Sequence, residues 1–473
     1  MIVKEGREEI LSYLEDASNF KGGNADRVYI PGGEDDLKEV LAKCAAQKTF
    51  VTVSGGGTGT VGGRVARLGV IVSLEKFSRI LRIDPERKMA SLQAGVVVKD
   101  FLNEIEKLNL FYPPFPTERT AFIGGNAATN ASGEYSCRFG PTRKYIRRIR
   151  MLLTTGGVLD VERGSIHEKN GALDYGSIRV PIPSYRTPCI KCSAGYFSQE
   201  GMDGIDLLIG SEGTLGVITE VDVSLIDALP PRLIIILFFM DEEGVPEIVN
   251  EIKKDFREEL YSLEFFDSGS LEFLKKDFPG IPDETCAIYA ETNADEDTLE
   301  KLAELTDRHK AVDTWLGEDS KNYERLIDFR HRLPENINAY FRKIGITKVA
   351  MDIAVPEQHF REMYAFYRNI MRSEKLHTII FGHIGENHLH FNIFPSGDEE
   401  KARAMQIYET CVRKALSLGG TVAAEHGIGK IKHKWLGIMY GEEGLREMVK
   451  IKKAFDPYCI LGPDNIFPKE LLK

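Results

Sequence analysis

Between Thr49 and Val98 short β-branched runs alternate with glycine: "TFVTVSGGGTG", "LGVIVSL" and "MASLQAGVVV" read as strands joined by loops. Ahead of them "EILSYLED" and "GEDDLKEVLAKCAAQ" read as helices, the second starting on the polar residues after Pro31 and Gly33. Another helix is predicted over "KDFLNEIEKLN". From Thr117 to Gly140 the chain is rich in Gly, Ala, Asn and Ser, and its weak periodicity predicts no helix. "RKYIRRIR" (Arg143–Arg150) reads as a strand with a solvated basic face. "IRMLLTTGGVLDVE" predicts a hairpin around Gly156 and Gly157. The segment from Tyr175 to Phe197, with three prolines, is expected to be a long loop. "IDLLIGSEGTLGVITEVDVSLI" then reads as strand, glycine loop, strand.

Pro230-Pro231 forbids both helix and central strand and marks a boundary. Beyond it the texture changes. Apolar strands such as "LIIILFFM" and "TCAIYAET" alternate with amphipathic helices such as "GVPEIVNEIKKDF" and "EDTLEKLAELTDRHK", an α+β pattern. A last helix ends at Asp456-Pro457. A chain of 473 residues exceeds one ordinary core, so segments 1–227, 228–430 and 431–473 are expected, the last returning to the first.

Apolar and charged fractions of 42% and 28% are those of a globular protein. A net charge of -11 argues against nucleic acid as a partner. No run approaches the roughly 20 apolar residues of a transmembrane segment. The charged N-terminus lacks the features of a signal peptide. The 7 cysteines are scattered and odd in number, which suits a reducing, cytoplasmic setting. The one CxxC, Cys189–Cys192, has no second pair at ligand spacing and reads as incidental.

Chemistry gathers in two kinds of segment. "SGGGTGTVGG" (Ser54–Gly63) follows an apolar strand, and successive N–H groups in such a glycine run form an anion-binding concavity. It is neither a Walker loop nor a Rossmann fingerprint, because another strand follows it. Two more glycine-rich segments, "PPFPTERTAFIGGNAATNASGEYSCRFGPT" and "GSEGTLGVIT", point to an extended phosphate-bearing cofactor. The second kind is "FGHIGENHLHFNIF" (Phe381–Phe394). "HLHFNIF" alternates with period two, placing His388, His390 and Asn392 on one strand face, and His383 lies on the turn before them. With a carboxylate from "AAEHGIGKIKH" (Ala423–His433), this is either a divalent-metal site or a polar strand end.

Together the three glycine segments and the two histidine motifs resemble the vanillyl-alcohol oxidase/p-cresol methylhydroxylase superfamily. The branch they resemble is that of flavin-dependent D-2-hydroxy-acid dehydrogenases, which includes D-lactate dehydrogenase, D-2-hydroxyglutarate dehydrogenase and the glycolate oxidase D-type subunit. The resemblance covers nearly the whole chain. It implies an α+β fold: a two-subdomain FAD-binding domain of p-cresol methylhydroxylase type over 1–227, plus an α+β substrate (cap) domain with an antiparallel sheet over 228–430. The family's pyrophosphate loop falls on Ser54, Gly55, Gly56, Gly57, Thr58, Gly59 and Thr60, with Gly62 and Gly63 continuing it. Its flavin and ribityl segment falls on Pro116, Thr117, Thr120, Gly124, Gly125, Asn126, Asn130 and Gly133. Its adenine-side segment falls on Glu212, Gly216 and Ile218. The first loop holds no histidine, so FAD is expected to be noncovalent. At the C-terminus the family's Leu-Asn-Pro-Gly-Lys is here "LGPDNI", and Gly462 removes the Asn side chain.

The branch's Gly-His-x-Gly-Asp-Gly-Asn-x-His motif assigns His383 and His390 as ligands of a divalent metal, zinc or manganese, with Glu425 as third ligand and His426 as base. Glu386, Asn387 and His388 depart from that motif, and His388 is a further candidate for metal contact. Substrate contacts are expected from Arg330, Lys348 and Asn392, although the family threonine four residues after the arginine is here Pro334. The implied reaction oxidises a lactate- or glycolate-like 2-hydroxy acid to the 2-oxo acid. The metal lowers the hydroxyl pKa, an imidazole, of ordinary pKa about 6.5, takes the proton, and the hydride goes to the flavin. Electrons are expected to leave to a quinone, an iron–sulfur subunit or an electron-transferring flavoprotein, with peripheral membrane association through such a partner and a homodimer both admitted. The alternatives are a non-redox transferase of alkyl-dihydroxyacetone-phosphate synthase type and an electron-relay flavoprotein subunit.

Overall fold

The computed structural model describes residues 1–346 and 348–473. They divide into two compact units. The first comprises Met1–Gly133, Gly140–Ala228 and Glu425–Lys473; the second comprises Glu134–Phe139 and Leu229–Ala424. The chain therefore returns to the first unit at Glu425.

The first unit is built on two sheets. One has the order Ile2–Glu5, Arg27–Ile30, Val70–Ser73, Val51–Ser54, with the last two pairings parallel. The parallel strands Val51–Ser54 and Val70–Ser73 are joined by the glycine loop itself rather than by a helix. Val28, Val51, Ile71 and Val72 are fully buried, as β-branched residues on an inner sheet should be. The helix Glu34–Gln47 has an acidic first turn, buries Leu37, Val40, Leu41 and Cys44, and ends on left-handed Lys48.

The other sheet is antiparallel, in the order Ile80–Asp84, Met89–Gln93, Val217–Ser224, Ile146–Leu152, Val158–Glu162. The hairpin expected at Gly156 and Gly157 joins its last two strands, with Leu152 opposite Val158. The basic face of Ile146–Leu152 is not simply solvated. Arg148 meets Asp160 at 2.6 Å and Arg150 meets Glu34 at 2.9 Å, so cross-strand and helix carboxylates neutralise it.

A helix does form inside the segment expected to lack one, at Ile123–Thr129. Its two glycines are poor helix formers, but Ile123 and Ala127 are fully buried, and a Cβ at Gly124 would stand 2.4 Å from that of Ala94. Close packing there overrides propensity.

In the second unit, eight antiparallel strands form one sheet. The order runs Asp313–Gly317, Arg232–Phe239, Cys286–Asn293, Ser262–Phe266, Thr378–Gly382, His388–Ile393, Val349–Ala350, with Ile353–Ala354 also pairing with His388–Ile393. The helix Ser320–Ile344 is capped by Asp319 and buries Leu326, Phe329, Leu333, Ile337 and Phe341 at helical spacing. These join Ile234, Ile236, Phe238 and Phe394 in the unit's main hydrophobic cluster. Arg330 is the one charged residue on that buried face.

Candidate active site

In the first unit the glycine segments line a cavity open to solvent. From the first expected loop, Gly55, Gly56, Gly57, Thr58 and Gly59 line it; from the second, Gly124, Gly125 and Asn126; from the third, Glu212, Gly216 and Ile218. Gly57 has φ +80°, a conformation that only glycine holds without strain. Among the described residues, no amide from Gly55 to Thr60 donates to another backbone group.

Ser54, Thr60, Gly62, Pro116, Thr117, Thr120, Asn130 and Gly133 lie outside the lining. Two of these do structural work. Asn130 ends the helix Ile123–Thr129 in the left-handed region and accepts from the Arg143 amide at 3.0 Å. A Cβ at Gly133 would meet the Pro114 carbonyl oxygen at 1.9 Å. Glu212 lines the cavity, but its carboxylate is turned onto the backbone amides of Ile428 and Gly429, at 2.8 and 2.7 Å. Burial pushes its pKa up, against those two hydrogen bonds.

Those bonds fix the start of "HGIGKIKH" beside the cavity, and the His426 ring, about a third exposed (34%), lines the wall. Next to it Glu425 meets the Lys191 ammonium at 2.7 Å, with the lysine side chain only 3% exposed. Lys191, between the two cysteines of the CxxC, was not singled out by any local pattern. Asn465 was also missed. Position 462 is crowded, since a Cβ there would press on Thr214 Cγ2 at 3.0 Å, but Asn465 in the same loop lines the cavity. Its Nδ2 donates to the carbonyls of Gly63 and Glu212, each at 3.0 Å. A buried ion pair holds that loop down: Lys452 Nζ meets Asp456 Oδ2 at 2.6 Å and donates to the Leu461 carbonyl at 2.9 Å.

In the second unit, His388–Ile393 is a strand, as its alternation predicts. Leu389, Phe391 and Ile393 are buried on one face, and His388, His390 and Asn392 occupy the other. His383 opens the 3-10 turn Ile384–Glu386, which ends on left-handed Asn387. Asn tolerates that region best after glycine, so Asn387 in place of the family's glycine preserves the turn. Gly382, at φ +118°, removes the Cβ that would press on His390 Cδ2 at 2.9 Å. The rings of His383, His388 and His390 thus meet, with centroids 4.6–5.4 Å apart. Each is held from outside: His383 Nδ1 lies 3.0 Å from Glu264 Oε1, His390 Nδ1 lies 3.4 Å from the Met351 carbonyl, and His388 Nε2 lies 3.0 Å from Asp352 Oδ1.

Arg330 lies between two buried carboxylates, 2.6 Å from Glu264 and 3.3 Å from Glu134. Burial alone would lower its pKa, but those carboxylates hold it above its ordinary value. Lys348 is half-buried, and burial pulls its ammonium down to about 8. Asn392 is buried and donates to the His390 carbonyl at 3.0 Å.

Residues 25–162 match the family described as FAD binding domain, and residues 231–466 match FAD linked oxidases, C-terminal domain. The chain belongs to the FAD-linked oxidases. Its architecture is that of the vanillyl-alcohol oxidase/p-cresol methylhydroxylase superfamily. This FAD-linked oxidase is 29% identical to the D-lactate dehydrogenase of Anaerostipes hadrus, over 91% of its own chain and 87% of the relative. It is 26% identical to the glycolate oxidase subunit GlcD of Bacillus subtilis (strain 168), over 100% and 99% of the two chains. Against the D-2-hydroxyglutarate dehydrogenase of Xanthomonas citri pv. viticola the identity is 25%, over 93% and 89%. Two crystal forms of alkyldihydroxyacetonephosphate synthase share its fold, with TM-scores of 0.66 and 0.63 at 13% and 12% identity; each comparison covers 98% of this chain and 82% of the other. At that identity the likeness concerns the fold alone.

The cavity of this FAD-linked oxidase suits the cofactor on two counts. The amides of Gly55–Gly59 offer a run of donors for a pyrophosphate. The Asn126 Nδ2, in a residue only 4% exposed, has no hydrogen-bond partner among the described residues and needs an acceptor. Among the described residues, no helix is long and apolar enough to cross a membrane.

Proposed function

We propose that this FAD-linked oxidase is a dehydrogenase that takes a small 2-hydroxy acid to its 2-oxo acid, with His426 as the base. The observation that carries the reading is the place of His426 on the wall of the same cavity that Gly124, Gly125 and Asn126 line. The names of the relatives, D-lactate dehydrogenase, glycolate oxidase subunit and D-2-hydroxyglutarate dehydrogenase, share this substrate class.

In this reading Gly55–Gly59, Gly124, Gly125 and Asn126 hold FAD noncovalently by backbone and amide contacts. Bound FAD supplies a two-electron acceptor, and a divalent cation, zinc or manganese, on His383 and His390 supplies Lewis acidity. Glu425 is the carboxylate ligand that the Glu-His-Gly motif assigns to the same cation. His426 removes the substrate hydroxyl proton at a ring nitrogen. Arg330, Lys348 and Asn392 are the substrate contacts. Because the Arg330 guanidinium already answers two carboxylates, Lys348 carries the larger share of substrate charge. Electrons pass on to a separate acceptor protein or a quinone.

An anaerobic screen tests the reading. Enzyme is mixed with chiral 2-hydroxy acids of graded length and charge, and flavin absorbance is followed. Bleaching by at least one D-2-hydroxy acid, with the 2-oxo acid recovered, is expected. A flavin that none of them bleaches would sink the reading.

A further inference from the structure

The resembled branch has two histidines in its motif, and here a third, His388, stands where that motif has Asn. One ring nitrogen from each of His383, His388 and His390 lies within 4.8 Å of the others. Nitrogens around one tetrahedral zinc, at Zn–N of about 2.0–2.1 Å, stand roughly 3.3 Å apart. An ion bound by all three would draw the nitrogens together to that spacing.

His388 has an alternative role, as an ordinary buried polar residue satisfying Asp352. Two observations go against it. His388 and Asp352 are 0% and 1% exposed, and burying an imidazole and a carboxylate together costs more than an apolar pair unless the site uses them. Moreover, each ring has an oxygen beside one nitrogen: Glu264 at His383 Nδ1, the Met351 carbonyl at His390 Nδ1, and Asp352 at His388 Nε2, the last at ion-pair distance without hydrogen-bond geometry. An outer carboxylate or carbonyl on one ring nitrogen is how proteins aim the other at a metal and fix its tautomer. At His388 the oxygen stands by Nε2 rather than Nδ1, which leaves Nδ1 as the nitrogen for an ion.

We propose that His388, aimed by Asp352, is a third imidazole ligand of the cation bound by His383 and His390, and that this nitrogen-rich set makes the site select zinc over manganese. The inference rests on the reading that the motif histidines bind a divalent cation. Imidazole suits zinc, whereas manganese favours carboxylate and water. With Asn at position 388, the site has one nitrogen ligand fewer and the preference weakens.

The test uses full-length flavin-loaded enzyme, stripped with a chelator and dialysed against equal zinc and manganese chloride, with bound metal measured by mass spectrometry. Wild type is expected to retain about one zinc per chain. His388→Asn should still bind metal, with the zinc-to-manganese ratio at least about tenfold lower, and Asp352→Asn should weaken zinc by about 10–100-fold. A wild type that binds one metal with a ratio unchanged in His388→Asn overturns the inference while leaving the metal-assisted reading standing. Wild type that binds neither ion overturns both. Zinc X-ray absorption on wild type, which does not depend on a variant folding, should count three imidazoles; two would overturn the role of His388.

Discussion

One carboxylate oxygen of Glu264 stands 3.0 Å from Nδ1 of His383 and 2.6 Å from Nη2 of Arg330. The same atom therefore orients a proposed metal ligand and neutralises a buried guanidinium. Glu264→Gln keeps the shape and removes the charge. Zinc affinity, measured calorimetrically, is expected to fall about 10–100-fold. Glu264→Ala should in addition lose about 3–5 kcal/mol of stability in urea, because Arg330 keeps a buried charge with half its compensation. Zinc affinity unchanged in Glu264→Gln would separate His383 from the metal.

His426→Ala removes the proposed base without touching the glycine loops. Flavin absorbance should persist, and the rate of anaerobic flavin reduction should fall about 10²–10⁴-fold. A loss below one order of magnitude would leave His426 a bystander.

Neighbouring glycines should part company. A Cβ at Gly124 collides with Ala94, whereas at Gly125 it meets nothing within 4 Å and enters the cavity side of the same helix. Gly124→Ala is expected to lower the melting temperature of flavin-free protein. Gly125→Ala should leave it unchanged or raise stability by about 0.5–1 kcal/mol, yet reduce flavin content on purification. Equal effects of the two on the flavin-free melt would contradict this division.

Lys348 sets a pH dependence. Its ammonium, lowered to about 8 by burial, is charged below that value and neutral above it. KM for an acidic substrate should therefore rise above pH 8, and Lys348→Met should flatten that rise. The stability consequence has the opposite sense. Unfolded lysine titrates near 10.4, so from about 8 to 10.4 the unfolded chain binds more protons and this residue's contribution to stability improves with pH. Below 8 its full cost is present. Urea midpoints of wild type and Lys348→Met at pH 7 and 9.5 should thus converge as pH rises.

Periodicity carried much of this. The alternation in "HLHFNIF" fixed which face bears His388, His390 and Asn392, and the Gly156-Gly157 pair marked the hairpin of the antiparallel sheet. Elsewhere periodicity failed: "IDLLI", expected as a strand, falls on the helix Gly204–Leu208, capped by Asp203. The helix Ile123–Thr129 is held by packing on Ala94, not by its own propensity. Glu264 lies 119 positions from His383, and Lys191 is still farther from Glu425 along the chain, so neither leaves a local trace. Asn465 leaves no local signal either, because Gly462 holds the family's Asn position and the side chain that reaches the cavity comes three residues later.

The short excursion Glu134–Phe139 belongs to the second unit although 89 residues, Gly140–Ala228, intervene before the rest of that unit begins. Glu134 supplies one of the two carboxylates on Arg330, and Tyr135 donates to Glu291 at 2.9 Å. An excised fragment running from Leu229 to Ala424 would therefore carry an arginine and a glutamate in its interior, each short of a partner. Cutting the polypeptide at its apparent linker yields an incomplete half, and a soluble excised version would need those six residues grafted back.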